Sequence, residues 1–213
     1  MDAKTKENAK LASGNKITQK GREKKGLDEI LEKSAKLMAL KGYSGTSMRD
    51  LAKTTGRSLS GLYHYFNNKE ELLFIINQRG FSSLVEISRS LMKEENNVAK
   101  RLRKLIWNHV NFFSLHQSEM RVMMFGTQEI DQEKRKIISQ LKHIYADDFK
   151  ITVSEYIFIM TEKQLDKKHL DRKSYLLFGM MNWVYGWFST DEHGTVEELV
   201  EDIYTTFTLG CTK

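Results

Sequence analysis

Proline is missing from all 213 residues. At average usage a chain this long would carry about ten. The proline ring removes an amide donor and interrupts helices, so its absence favours long unbroken helices over turns and sheet edges. Cysteine occurs once, at Cys211, which excludes an intramolecular disulfide framework and points to a reducing compartment. No apolar run approaches the roughly 18 residues of a membrane span, and the first residues lack the apolar centre of a signal peptide. A cytoplasmic protein without membrane contact is expected. The signatures of common enzyme chemistry are missing too: there is no G-x-S-x-G elbow, no phosphate loop, no H-E-x-x-H pair and no paired cysteines. Neither catalysis nor a metal or cofactor is expected. His109 and His116, seven residues apart, suit core or pocket roles better than metal ligation.

What the chain does have is positive charge concentrated at one end. Its net charge of +6 divides into +8 over residues 1–69 and −2 over the remainder, the footprint of a nucleic-acid-binding end on a neutral body. Residues 1–20, with lysines at 4, 6, 10, 16 and 20, read as a flexible basic arm that touches DNA or is an inert tail. A competing function would place this basic region on a membrane surface or a protein partner.

Residues 21–69 read as a DNA-binding domain of three helices. From about Gly21 to Lys41 the residues Leu27, Ile30, Leu31, Leu37 and Met38 form one apolar stripe, and Gly42 ends the helix. Met48, Leu51, Ala52 and Thr55 share a face of a second, with Ser47 and Asp50 as its capping box. Gly56 supplies the C-terminal turn, and Ser58 caps a third helix. Two helices joined so tightly form a helix-turn-helix. At 100° per residue Leu59, Leu62 and Phe66 face inward, while Ser60, Gly61 and His64 face outward and Tyr63 and Tyr65 lie on the flanks. A small polar front of this kind suits a recognition helix in the major groove. The geometry assigns Ser60, Gly61 and His64 to base edges. Tyr63, Tyr65, Lys69 and the cap hydroxyls of Ser47 and Ser58 fall to phosphates, and Arg57 is a candidate for either.

The run Gly42-Tyr43, Thr46-Ser47, Leu51-Ala52, Gly56, Ser58, Leu62-Tyr63-His64-Tyr65-Phe66 and Lys69-Glu70-Glu71-Leu72 resembles the DNA-binding signature of the tetracycline-repressor (TetR) family of bacterial regulators. Two positions depart from it: Arg57 replaces a usual aliphatic residue, and Leu59 stands where a polar one is common. The resemblance implies an all-α chain with an N-terminal helix-turn-helix domain and a C-terminal helical ligand-binding and dimerisation bundle, about nine helices in total. It implies a homodimeric repressor on double-stranded, palindromic operator DNA, contacted by Thr46, Arg49, Ser58, Ser60, Gly61, Tyr63, Tyr65 and Lys69.

Residues 70–213 form the expected second domain. A helix from about Asn68 to Glu94 leads into it, and others follow over about 98–115, 118–125 with Gly126 as its stop, and 131–161. The stretch from Leu176 to Phe188, LLFGMMNWVYGWF, is apolar nearly all round. One chain of this size does not bury such a helix alone, so a homodimer interface is expected around 172–189 and 195–209, with Gly179 and Gly186 permitting close approach. Methionines and aromatics in this half suit a malleable apolar cavity. The expected ligand contacts are Trp107, Asn108, His109, Phe112, His116, Met120, Met124, Tyr145, Phe149, Phe178, Asn182 and Trp183. The segment Gly179 to Trp183 also looks like TetR-family regulators that respond to fatty acyl-coenzyme A, which implies a small apolar effector of that kind.

Overall fold

The computed structural model describes residues 23–125 and 127–212; the expected arm, residues 1–20, and Gly126 lie outside the described residues. Among the described residues there are helices and turns but no strand. The chain divides into two compact units, one ending at Leu72 and the other beginning at Leu73.

In the first unit, α1 occupies residues 23–41, α2 is Met48–Thr55 and α3 is Leu59–Tyr63; the first residues of α4 (Lys69–Glu94) complete it. Local chemistry sets each boundary. Gly42 takes φ +76°, a left-handed conformation that favours glycine. Ser47 Oγ accepts from the Asp50 amide at 3.1 Å, and the Ser47 amide donates to Asp50 Oδ2 at 3.0 Å, which closes the capping box. Gly56 ends α2 with φ 69°. Ser58 Oγ accepts from the Gly61 amide at 3.0 Å and starts α3. Asn68 Oδ1 accepts from the Glu71 amide and caps α4. Ile30, Ala35, Met38, Leu51, Leu62, Phe66 and Leu72 are all buried and form the core. Leu59 departs from expectation: it is 37% exposed, at the first position of the five-residue α3.

The second unit holds the rest of α4, then α5 (Val98–Leu115), α6 (Gln117–Phe125), a 3₁₀ turn (Thr127–Glu129), α7 (Gln132–Thr161), α8 (Lys167–Asn182), α9 (Val184–Trp187), α10 (Thr190–His193) and α11 (Val196–Cys211). Helix α5 is central and packs against α6, α7, α8, α9 and α11. That position explains why it is buried on more than one side, including Arg101, whose guanidinium reaches the Thr152 hydroxyl and the Glu155 carboxylate. The single turns α9 and α10 escape a reading by periodicity, because four residues carry no repeat.

The apolar stretch from Leu176 to Phe188 is not one helix. It breaks at Trp183, and Phe188 is extended with ψ 130°. A Cβ on Gly186 would lie 3.2 Å from the Trp183 ring, so this glycine makes room for an indole of its own chain. Gly179 has nothing within 4 Å of a Cβ position and is exposed.

Candidate functional site

The first unit presents a polar surface built by α2 and α3. Burial of Leu62 at 0% and Phe66 at 2% exposure fixes the roll of α3 and turns Ser60 and His64 to solvent, with Gly61 half-buried. Ser60 Oγ lies 3.0 Å from Ser58 Oγ. Tyr63 is 50% exposed, and Tyr65 is half-buried with its ring edge-on to His64. Arg49, Ser47, Ser58 and Arg57 are exposed. The Ser47 hydroxyl donates to Asp50 Oδ2 at 2.6 Å, and that bond, with the Ser47 amide, holds the Asp50 carboxyl below the usual carboxylate range. A Cβ on Gly26 would stand 3.3 Å from both the Arg57 guanidinium and the Tyr65 hydroxyl. The small residue on α1 lets these two candidate contacts lie against it, a role that carries no local sequence signal.

Two candidates sit elsewhere than expected. Thr46 is 1% exposed and its hydroxyl donates to the Gly42 carbonyl at 2.8 Å, so the side chain closes the turn between α1 and α2. Lys69 Nζ donates to the carbonyls of Tyr43 at 2.6 Å and Thr46 at 2.8 Å, and stands 4.0 Å from the centre of the Tyr43 ring. Two of its three donors are therefore committed to that turn. These partners lie 26 and 23 residues away, beyond the reach of a motif.

In the second unit the structure gathers some of the expected pocket residues and disperses others. His109 on α5 is 2% exposed; its ring stacks on Phe113 at 3.9 Å and lies 5.9 Å from Tyr145, 6.3 Å from Phe149 and 5.9 Å from Phe178. His109 Nδ1 and the Tyr145 hydroxyl are 3.2 Å apart. Asn182 stands beside the imidazole without closing a full hydrogen bond to Nε2, and Asn108 stands likewise beside the Tyr145 hydroxyl. Burial drives the His109 pKa down from 6.5 to about 3, with Asn182 opposing weakly. Burial, and then the charge of Asp148, push the Tyr145 phenol well up. Both groups are therefore neutral.

Met120 is buried on α6, and Phe112 is half-buried with its ring 4.6 Å from that of His116. His116 caps the end of α5 and lies 3.8 Å from Glu119. Trp107, Met124 and Trp183 do not join the cluster. They are 40%, 40% and 60% exposed, and the Trp107 indole donates to Glu197. Two residues of this cluster are absent from the expected contacts: Phe113, stacked on His109, and Asp148, whose charge acts on Tyr145. The latter is fully buried, with Ser88 Oγ 2.6 Å and Arg89 Nε 3.4 Å from its carboxylate. An aspartate in the middle of a helix gives no hint of a partner 60 residues away. Gly80 on α4 does carry a signal, a glycine inside a helical pattern. A Cβ there would meet Met123 at 2.6 Å.

Among the described residues no group of histidine, cysteine and carboxylates is arranged to hold a metal. No helix among them is long and apolar enough to cross a membrane.

Against known proteins, the family described as "Bacterial regulatory proteins, tetR family" matches residues 30–76, and "Tetracyclin repressor-like, C-terminal domain" matches residues 95–211, more than half of the chain. Among curated relatives, the uncharacterised HTH-type transcriptional regulator YuxN of Bacillus subtilis is 29% identical over 146 residues, 62% of this chain and 50% of that protein. The HTH-type transcriptional repressor KstR2 of Mycobacterium tuberculosis is 28% identical over 121 residues, 56% of each. The chain thus spans about half the length of these curated relatives. Among solved structures, the TetR family regulator PfmR from Thermus thermophilus has a TM-score of 0.76 at 26% identity, covering 84% of this chain and 97% of that one. AibR, in complex with isovaleryl coenzyme A and operator DNA, has a TM-score of 0.73 at 26% identity, covering 85% and 97%.

Proposed function

The chain belongs to the TetR family of bacterial regulators, and from that premise we propose that it is a homodimeric, effector-responsive repressor of transcription that binds a palindromic operator. The observation that carries the DNA half is the roll of α3: Leu62 and Phe66 anchor it, and Ser60, Gly61 and His64 are left facing outward. A surface of small groups can approach base edges, and Tyr63, Tyr65, Arg49 and Arg57 flank it with donors for phosphate. Ser47 and Ser58 reach the same phosphates through the helix starts they cap, and Lys69 through its remaining donor. Thr46 contributes its backbone at the turn. Selection of genomic fragments on the purified protein, followed by gel shift, tests the reading. Tyr63→Ala is expected to weaken binding to every duplex about equally, by roughly 1 kcal/mol. Unchanged affinity across a salt titration would remove Tyr63 from the interface.

The exposed apolar side chains of the second unit support the dimer. Leu176 is 64% exposed, Trp183 60%, Trp187 44% and Leu209 61%, and all belong to the segments 172–189 and 195–209. Exposed apolar surface of this extent suits a partner, and open Gly179 gives a second copy room to approach. Gly179→Arg is expected to yield a helical monomer by size exclusion, because the new side chain meets nothing in its own chain. A dimer that persists in this variant would move the interface elsewhere.

The effector reading rests on the buried cluster around His109, with Asn108, Phe112, Met120, Tyr145, Phe149, Phe178 and Asn182 as its contacts. His116, whose ring lies 4.6 Å from that of Phe112, would stand at its edge. A small apolar effector such as a fatty acyl-coenzyme A suits these surroundings, and AibR is a structural relative crystallised with one such conjugate. Helix α4 begins in the DNA-binding unit and continues into the other. An effector that fits better when α4 is displaced would lower operator affinity, provided it discriminates the two states.

A further inference from the structure

Polar side chains meet in the middle of the second unit, and two of them end in nitrogen atoms that nothing satisfies. Asn108 and His109 are neighbours on α5, 6% and 2% exposed. Asn108 Nδ2 and His109 Nε2 make no hydrogen bond. Both side chains converge on the Tyr145 hydroxyl, Asn108 from beside it and His109 through Nδ1 at 3.2 Å. When that hydroxyl donates to Nδ1, the imidazole proton sits on Nε2, so the cluster holds two free donors. Leaving such a donor buried and unmade is costly. Phe113, Phe149 and Phe178 enclose the ring and offer no acceptor, and Asn182, beside the imidazole, does not close a hydrogen bond to Nε2.

Charge decides what kind of acceptor fits. The imidazole is neutral, its pKa held near 3 by burial. The charge that bears on the Tyr145 hydroxyl is that of Asp148, which Arg89 Nε approaches at 3.4 Å. A carboxylate brought here would exchange water for apolar rings and neutral donors, a costly transfer. An uncharged carbonyl oxygen would meet the same donors and lose far less hydration.

Resting on the reading of this unit as the effector-binding one, we propose that Asn108 and His109 seat the carbonyl oxygen of an apolar ester, thioester or ketone and reject the free acid of the same chain. The acyl portion would lie among the phenylalanines and Met120.

Calorimetric and thermal-shift titrations of the full-length protein provide the test. The probes are methyl ketones and methyl esters with chains from butanoate to decanoate, the matching carboxylates, and the matching acyl-coenzyme A thioesters. Saturable binding of a neutral carbonyl compound is expected, with its carboxylate at least about ten-fold weaker. The carbonyl stretch of an isotopically labelled ester is expected to move to lower frequency when bound. Asn108→Leu should weaken that ester about ten-fold and return the band toward its position in apolar solvent. His109→Phe, which keeps a ring in the stack, should do the same, with circular dichroism reporting that both variants are folded. The thioester arm identifies the source: binding of thioesters alone, with the same loss in both variants, assigns the carbonyl to a coenzyme A conjugate. Carboxylates that bind as tightly as esters, or carbonyl compounds indifferent to both substitutions, would overturn the assignment and leave the effector-binding reading intact. Failure of every apolar probe to bind would sink that reading, and this inference with it.

Discussion

In the Phe66→Ala protein, the amides of α2 and α3 are expected to exchange with solvent as in an unfolded chain, while those of α5 and α7 keep their protection. The ring of Phe66 is 2% exposed and is among the largest fully buried side chains of the protein. Removing such a ring costs about 3–5 kcal/mol, part from lost transfer free energy and part from the cavity left behind. The first compact unit contributes about 50 described residues, and domains carry roughly 0.05–0.15 kcal/mol of stability per residue. One substitution therefore removes most of what holds this unit together. The second unit has its own core around α5. Hydrogen exchange read by mass spectrometry separates the two, because local unfolding appears only in the peptides that open. Loss of every gel-shifted complex should accompany it. Protection in α2 and α3 within a few-fold of wild type would show that Phe66 does not anchor α3, and the outward face of Ser60, Gly61 and His64 would lose its basis.

The same residues show how far local sequence carries. Ser47 with Asp50, Gly56, Ser58 and Gly42 act on amides within four positions, so their caps and turns are legible from order alone. The stripe Met48, Leu51, Ala52 and Thr55 is legible for the same reason. Lys69 is not. Its sequence context suggests a cation at a helix start facing a phosphate, whereas its ammonium folds back on Tyr43 and Thr46. That arrangement depends on where α1 ends relative to α4, a tertiary fact. In the second unit Asn108 and His109 stand out as polar residues in an apolar pattern, and both prove buried. The convergence on Tyr145 and the anion Asp148 behind it arise from the packing of α5 on α7, which no spacing encodes. Trp107, Met124 and Trp183, expected as ligand contacts, stand at the surface, 40%, 40% and 60% exposed.

Acid should expose the cost of keeping His109 neutral. Its pKa is about 3 in the folded chain against 6.5 for the unperturbed group. Between those values the unfolded chain binds a proton that the folded chain refuses, so unfolding gains in stability as pH falls through the window. The loss is about 1.4 kcal/mol per pH unit once below 6.5, or roughly 2–3 kcal/mol by pH 4.5. Carboxylates with lowered pKa values, such as Asp50 through Ser47 and Glu95 through Lys104, also withdraw stability in acid. Their contribution is complete above the unperturbed values of 3.8 and 4.5 and fades only below them, so the interval from pH 6.5 to 4.5 belongs to the imidazole. Urea unfolding followed by tryptophan fluorescence at several pH values in that interval should give a falling free energy in the wild type. In His109→Phe, which cannot protonate and stacks among Phe113, Phe149 and Phe178, that component should vanish. Parallel curves for the two proteins would mean that water reaches Nε2 and the imidazole titrates freely. In that case the same nitrogen would present a charge to ligands, and a carboxylate would become the better guest.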